Sequence, residues 1–154
     1  MDLSGDGDLD LVTLEAPLPG FYERGGRDWR GFRTIPALPR IDWADPALRF
    51  VDLTGDGLAD LLVTRDDGFD IWPSRGEEGF APARVVRHSG KDRPEVAFTK
   101  DANELYLADM TGDGLTDLVR IRNGEVSYWP SLGHGRFGPR VTCARFRRSA
   151  SLTM

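Results

Sequence analysis

Asp52-Leu-Thr-Gly-Asp-Gly-Leu-Ala-Asp60 recurs as Asp109-Met-Thr-Gly-Asp-Gly-Leu-Thr-Asp117 and opens the chain as Asp2-Leu-Ser-Gly-Asp-Gly-Asp-Leu-Asp10. Each copy has carboxylates at positions 1, 5 and 9, a hydroxyl at position 3 and glycines at positions 4 and 6. Two like charges about 4 Å apart repel by roughly 4 kcal/mol near a protein surface, so three in nine residues call for a cation at their centre. Oxygen donors without imidazole or thiolate point to Ca²⁺ rather than zinc or copper. The expected ligands for up to three Ca²⁺ sites are Asp2, Ser4, Asp6, Asp8 and Asp10 in the first copy. Asp52, Thr54, Asp56, Leu58 and Asp60 follow in the second, and Asp109, Thr111, Asp113, Leu115 and Asp117 in the third. Position 7 varies in type, as expected if its carbonyl oxygen is the donor, with Asp8 adding a charge in the first copy.

The spacing is that of the first half of an EF-hand loop, which also needs a bidentate Glu at position 12 and two flanking helices. Position 12 is Thr13, Val63 or Arg120, so the position-9 carboxylate must close the shell instead. The residues that follow, Leu61-Leu-Val-Thr64 and Leu118-Val-Arg-Ile121, are strand formers, which places each loop between two strands. Ordinary Asp-Gly hairpin turns are the alternative. Three copies of one nine-residue pattern favour calcium.

The loops set periods of 50 and 57 residues, the range of propeller blades. Gly68-Phe-Asp-Ile-Trp-Pro-Ser-Arg-Gly76 matches Glu125-Val-Ser-Tyr-Trp-Pro-Ser-Leu-Gly133, and Gly79-Phe-Ala-Pro matches Arg136-Phe-Gly-Pro. The first unit is looser, with Gly20-Phe-Tyr-Glu-Arg-Gly25 and Gly31-Phe-Arg-Thr-Ile-Pro36. Strands are expected at 48–53, 59–65, 69–72 and 83–87, and again at 105–110, 116–122, 125–129 and 140–142. The fold class is all-β: about three four-stranded blades of an incomplete β-propeller, spanning about 1–40, 41–94 and 95–142. Residues 143–154 form a tail outside the pattern, of which 144–147 could add a strand to a neighbouring chain. The first unit lacks its leading strand. An open arc leaves unpaired edges, so further blades of a longer chain or copies of this one are expected to cover them.

The chain has 154 residues, a net charge of −5 and one cysteine, Cys143. That excludes an internal disulfide framework and, without a basic stripe, argues against nucleic acid as a partner. No segment is long and apolar enough to span a membrane, and no secretory signal is evident at the start. His88 and His134 lie in Gly- or Ser-rich turns, and Cys143 has no evident base partner, so no catalytic constellation is expected. Trp72 and Trp129 occupy equivalent positions and are expected to pack blades; Trp29 and Trp43 are either exposed contacts or loop anchors.

The loops, the Trp-Pro-Ser-x-Gly turn and the Gly-Phe and Phe-Gly-Pro segments resemble FG-GAP (VCBS) repeats of integrin-like propellers. Ile41-Asp-Trp43, Leu48-Arg-Phe-Val-Asp-Leu53, Leu105-Tyr-Leu-Ala-Asp-Met110 and Asp117-Leu-Val-Arg-Ile-Arg-Asn-Gly-Glu-Val126 are similar to the propeller region of SpvB-type proteins. That family includes the B components of insecticidal toxin complexes. The resemblance covers roughly 2–142 and implies calcium-binding blades in a large secreted toxin. It implies a non-catalytic scaffold and interaction module whose partners are toxin complex subunits. An adhesion or carbohydrate-binding module on the same blades is the alternative function.

Overall fold

The computed structural model describes residues 1–15, 17–65, 67–87 and 104–145. Ala16, Asp66, residues 88–103 (His88 among them) and the tail beyond Arg145 lie outside them. The described residues form antiparallel β-sheets that follow the sequence repeat. The first blade is three-stranded, ordered β1 (Leu11–Thr13), β2 (Gly20–Tyr22), β5 (Arg33–Thr34). A short hairpin, β3 (Arg24–Gly25) and β4 (Asp28–Trp29), stands between its second and third strands. The second blade is a four-stranded meander, β6 (Leu48–Val51), β7 (Asp60–Arg65), β8 (Gly68–Trp72), β9 (Arg84–Arg87). The third repeats it as β10 (Leu105–Ala108), β11 (Asp117–Arg122), β12 (Glu125–Trp129), β13 (Val141–Arg145).

Register ties the repeats together at the residue level. Leu61 lies opposite Phe50 and Trp72, and its equivalent Leu118 lies opposite Leu107 and Trp129. Leu11 faces Tyr22 in the same place in the first blade, where among the described residues no strand occupies the position of β6. Asp10 instead exchanges backbone hydrogen bonds with Met1, the start of such a pairing. β13 runs to Arg145, past the expected 140–142, because Ala144 and Arg145 pair with Val126 and Glu125 across a bulge. Those two residues therefore belong to their own blade and are not spare. A 3₁₀ turn at Gly76–Glu78, unannounced by any helical period, bends the chain between β8 and β9.

Side chains alternate between the two faces of each sheet, so every blade has a leading face toward the blade before it and a trailing face toward the next. Val51, Leu62, Phe69 and Ile71 on the trailing face of the second blade join Leu105, Leu118 and Trp129 on the leading face of the third in one buried cluster. Phe69 and Phe137 meet edge-on across that junction, with centroids 5.5 Å apart. Leu48, Leu61 and Val63, on the leading face of the second blade, pack with Phe80, Leu38, Ile41 and Trp43. Trp43 is thus an anchor of the loop that leads into β6, whereas Trp29 is exposed. Arg33 links the blades by charge, pairing with Glu23 at 2.6 Å and with Glu77 of the second unit.

Candidate metal centre

The nine-residue loops sit at the blade ends, between β6 and β7 and between β10 and β11, with the first copy leading into β1. Glycines let them turn: positions 4 and 6 take φ of 81° and 86° in the second copy, a left-handed region closed to most side chains. That turn aims main-chain amides inward, and the position-1 carboxylate accepts them. Asp52 takes the Gly55 amide at 2.7 Å on Oδ1 and the Gly57 amide at 2.8 Å on Oδ2. Asp2 and Asp109 do the same with Gly5 and Gly7 and with Gly112 and Gly114. The Gly114 amide, then that of Gly112, holds the Asp109 carboxyl below the usual carboxylate value. Position 5 is the exposed tip, where Asp6, Asp56 and Asp113 each accept the amide two residues on, at 2.9 Å.

Position 9 is different in kind. Asp10, Asp60 and Asp117 are buried. Oδ2 of each accepts the position-2 amide of its own loop, at 2.9, 3.0 and 2.8 Å. Oδ1 accepts an amide from beyond the next strand: Arg24 at 3.2 Å, Ser74 at 2.7 Å and Ser131 at 2.7 Å. The repeated Trp-Pro-Ser turn exists to deliver that amide, and the Ser hydroxyls in turn accept the Gly76 and Gly133 amides. Burial pushes Asp60 up, the Ser74 and Leu53 amides pull it back, and the charges of Asp56 and Asp52 raise it further.

The carboxylates are spread, each bonded to backbone amides; among the described residues no three acidic, imidazole or thiol groups converge on one point. The donor chemistry nevertheless fits a hard divalent cation. All the side-chain groups are oxygens, and the Ser4 hydroxyl at position 3 is buried without a hydrogen-bond partner, an unsatisfied oxygen that an ion would complete. The Thr54 and Thr111 hydroxyls at the same position donate long bonds of 3.4 Å to Asp52 and Asp109.

Position 7 carries a second role that its variable type concealed. Leu115 Cδ2 lies 2.8 Å from where Gly55 would carry a Cβ, and Leu58 Cδ2 lies 3.6 Å from the same point on Gly5. Successive loops therefore touch, side chain of one on the bare backbone of the one before. The His134 amide adds a 2.8 Å bond to the Leu53 carbonyl across the same junction.

Comparison with known proteins agrees with this construction. Residues 52–119 match the family described as FG-GAP-like repeat. No curated protein sequence matches the chain. The crystal structure of TcdB2-TccC3 without its hypervariable C-terminal region is similar over 96% of this chain and 7% of its own, at 23% identity and a TM-score of 0.55. That of TcdB2-TccC3-Cdc42 is similar over 69% of this chain and 5% of its own, at 26% identity and a TM-score of 0.54. An Agrocybe aegerita lectin, solved for its recognition of non-reducing terminal N-acetylglucosamine, is similar over 94% of this chain and 37% of its own, at 23% identity and a TM-score of 0.58. The chain spans 5% and 7% of the length of these two toxin-complex structures and 37% of that of the lectin. Among the described residues no helix is long and apolar enough to cross a membrane. Residues 52–119 thus carry the FG-GAP-like repeat, and the repeated loops and blade order give the described residues the build of propeller blades.

Proposed function

We propose that the chain is a calcium-binding propeller segment serving as scaffold and protein-interaction module of a secreted, toxin-complex-type protein, with no catalytic role of its own. The observation that carries this reading is the position of the thrice-repeated polar loop, whose Leu115 packs on Gly55 at a blade junction. A cation at such a loop would stiffen one blade end and the contact with its neighbour together. Asp2, Ser4, Asp6, Asp8 and Asp10 would hold the first ion, with Asp52, Thr54, Asp56, Leu58 and Asp60, and Asp109, Thr111, Asp113, Leu115 and Asp117, holding the others. The ion would supply positive charge that offsets the mutual repulsion of the loop carboxylates. Likeness to the TcdB2-TccC3 toxin complex structures supports a protein-facing scaffold outside the cell. Calcium near ~1 mM there would fill sites of Kd ~10⁻⁴ M that cytosolic calcium leaves empty.

The likeness to the N-acetylglucosamine-recognising lectin favours a second reading, a carbohydrate-binding module on the same blades. Chromatography on immobilised N-acetylglucosamine in calcium separates the two. The scaffold reading expects the chain in the flow-through. Retention released by free sugar overturns it in favour of the lectin-like reading.

A further inference from the structure

Trp72 and Trp129 are repeat equivalents with unlike surroundings. Trp129 is 2% exposed and carries the Arg120 guanidinium 5.3 Å from its ring centroid. In the second blade Val63 stands in place of Arg120, and Trp72 is only half-buried. It opens onto a hollow of about 340 Å³ between the loop that leads into β6 and the turn after β8. Leu38, Pro39, Trp72 and Phe80 supply apolar walls, and the exposed Arg40 and Arg75 stand one on each side, from the loop and from the turn. The third unit has Leu132 in place of Arg75, so the hollow is a property of this junction and not of the repeat.

The walls are tied to each other by backbone bonds. The Phe80 amide donates to the Ala37 carbonyl at 2.9 Å, and the Ala81 amide to the Pro73 carbonyl at 2.8 Å. Around Arg75, its own amide bonds the Gly79 carbonyl at 2.8 Å and the Ser74 amide bonds Asp60 at 2.7 Å. Neither the Arg40 nor the Arg75 guanidinium has an ion pair or hydrogen bond among the described residues, and Glu77 of the same turn is taken by Arg33. Every polar side-chain group lining the hollow is a donor, with no carboxylate, carboxamide or hydroxyl among them. A neutral sugar finds no side-chain acceptor there. The fitting occupant is apolar at its centre and anionic on both sides.

We propose that this hollow docks an acidic peptide segment of a partner protein, one aromatic side chain entering against Trp72 and flanking carboxylates meeting Arg40 and Arg75. The volume is at the low end of the roughly 300–1,000 Å³ of ligand pockets and suits a single ring. Planar guanidinium groups take carboxylates through paired hydrogen bonds, and Trp and Arg are the side chains that carry most binding energy at interfaces. Two arginines on opposite walls match carboxylates on either side of a ring, as neighbouring residues of a peptide place them. A small aromatic acid offers one. The chain as a whole has a net charge of −5 and repels such a peptide, so its capture reports on the local pair of arginines.

Fluorescence anisotropy of labelled Glu-Glu-Phe-Glu-Glu, titrated with the full chain in calcium, tests the proposal. Saturable binding with a Kd below about 1 mM is expected, and its absence overturns the site. Exchanging the peptide's Phe for Ala, or its Glu residues for Gln, should weaken binding about tenfold or more. An unchanged Kd in either peptide overturns the joint use of anchor and charge. Arg40→Ala and Arg75→Ala should each weaken binding about tenfold with little change in melting temperature, since neither side chain is bonded to the described residues. Arg27→Ala, exposed in the β3–β4 turn, should bind as wild type does. Equal losses in all three variants would mean unlocalised charge attraction and overturn the site. Displacement of the peptide by phenylacetate at equal concentration would assign the hollow to a small aromatic acid instead. The proposal rests on the protein-interaction reading above, which the N-acetylglucosamine column tests separately. A chain that flows through that column yet ignores the peptide loses the peptide site alone.

Discussion

Asp60 accepts the Ser74 amide at 2.7 Å from a side chain with no solvent exposure, joining a loop before one strand to the turn after the next. The same carboxylate takes the Leu53 amide at 3.0 Å, so a single side chain closes the end of the blade. Asp117 repeats the arrangement with Met110 and Ser131.

This bracket predicts unequal costs within one loop. Asp60→Ala strands two main-chain amides, one of them buried, and should destabilise by about 3 kcal/mol, since each unsatisfied donor costs roughly 1–3 kcal/mol. Asp56→Ala at the exposed tip should change stability by no more than about 0.5 kcal/mol when chelator is present. Urea unfolding of both variants in chelator gives the comparison, and equal losses would remove the distinction between bracket and tip.

Acid titration separates two aspartates of opposite behaviour. Asp60 is raised above its ordinary 3.8, so the folded chain binds that proton more tightly than the unfolded one. Its contribution to stability is full below 3.8 and is lost as pH climbs through the raised value. Asp109 is lowered, so its contribution is full above 3.8 and is lost as pH falls through the lowered value. In chelator, the advantage of wild type over Asp60→Asn should shrink as pH rises above 3.8, and that over Asp109→Asn should shrink on acidification below 3.8. Denaturant midpoints across pH check both signs.

Gly55 and Gly57 share the left-handed backbone, at φ 81° and 86°, but only Gly55 faces a neighbour, Leu115. Gly57→Ala should cost about 1 kcal/mol from backbone strain alone. Gly55→Ala should cost about 2 kcal/mol or more, because its methyl must also displace a leucine packed between blades. Thermal melts of the two variants test whether the loops form part of the junction.

Much of this architecture was legible in the sequence because it repeats. The Asp loops, the Trp-Pro-Ser turns and the strand alternation placed the second and third blades, and Trp72 and Trp129 pack against neighbours as their equivalence implied. Spacing alone showed where carboxylates stand, but not that Asp60 would meet an amide fourteen residues on, since backbone donors leave no mark in a sequence. The contact of Leu115 with Gly55 was equally silent, because it joins one repeat to the one before it. The β3–β4 hairpin was hidden in the loose first unit, where Arg24-Gly-Gly-Arg27 reads as loop and the two strands are only two residues each.

The central claim, that these loops hold calcium, is tested most directly by calorimetric titration of the chelator-stripped chain. The account predicts up to three ions bound per chain, one site lost in Asp56→Ala and another in Asp113→Ala. At a Kd of ~10⁻⁴ M each filled site should add roughly 1.4 kcal/mol of stability in ~1 mM Ca²⁺. No binding heat, together with the same melting temperature in calcium and in chelator, would contradict it.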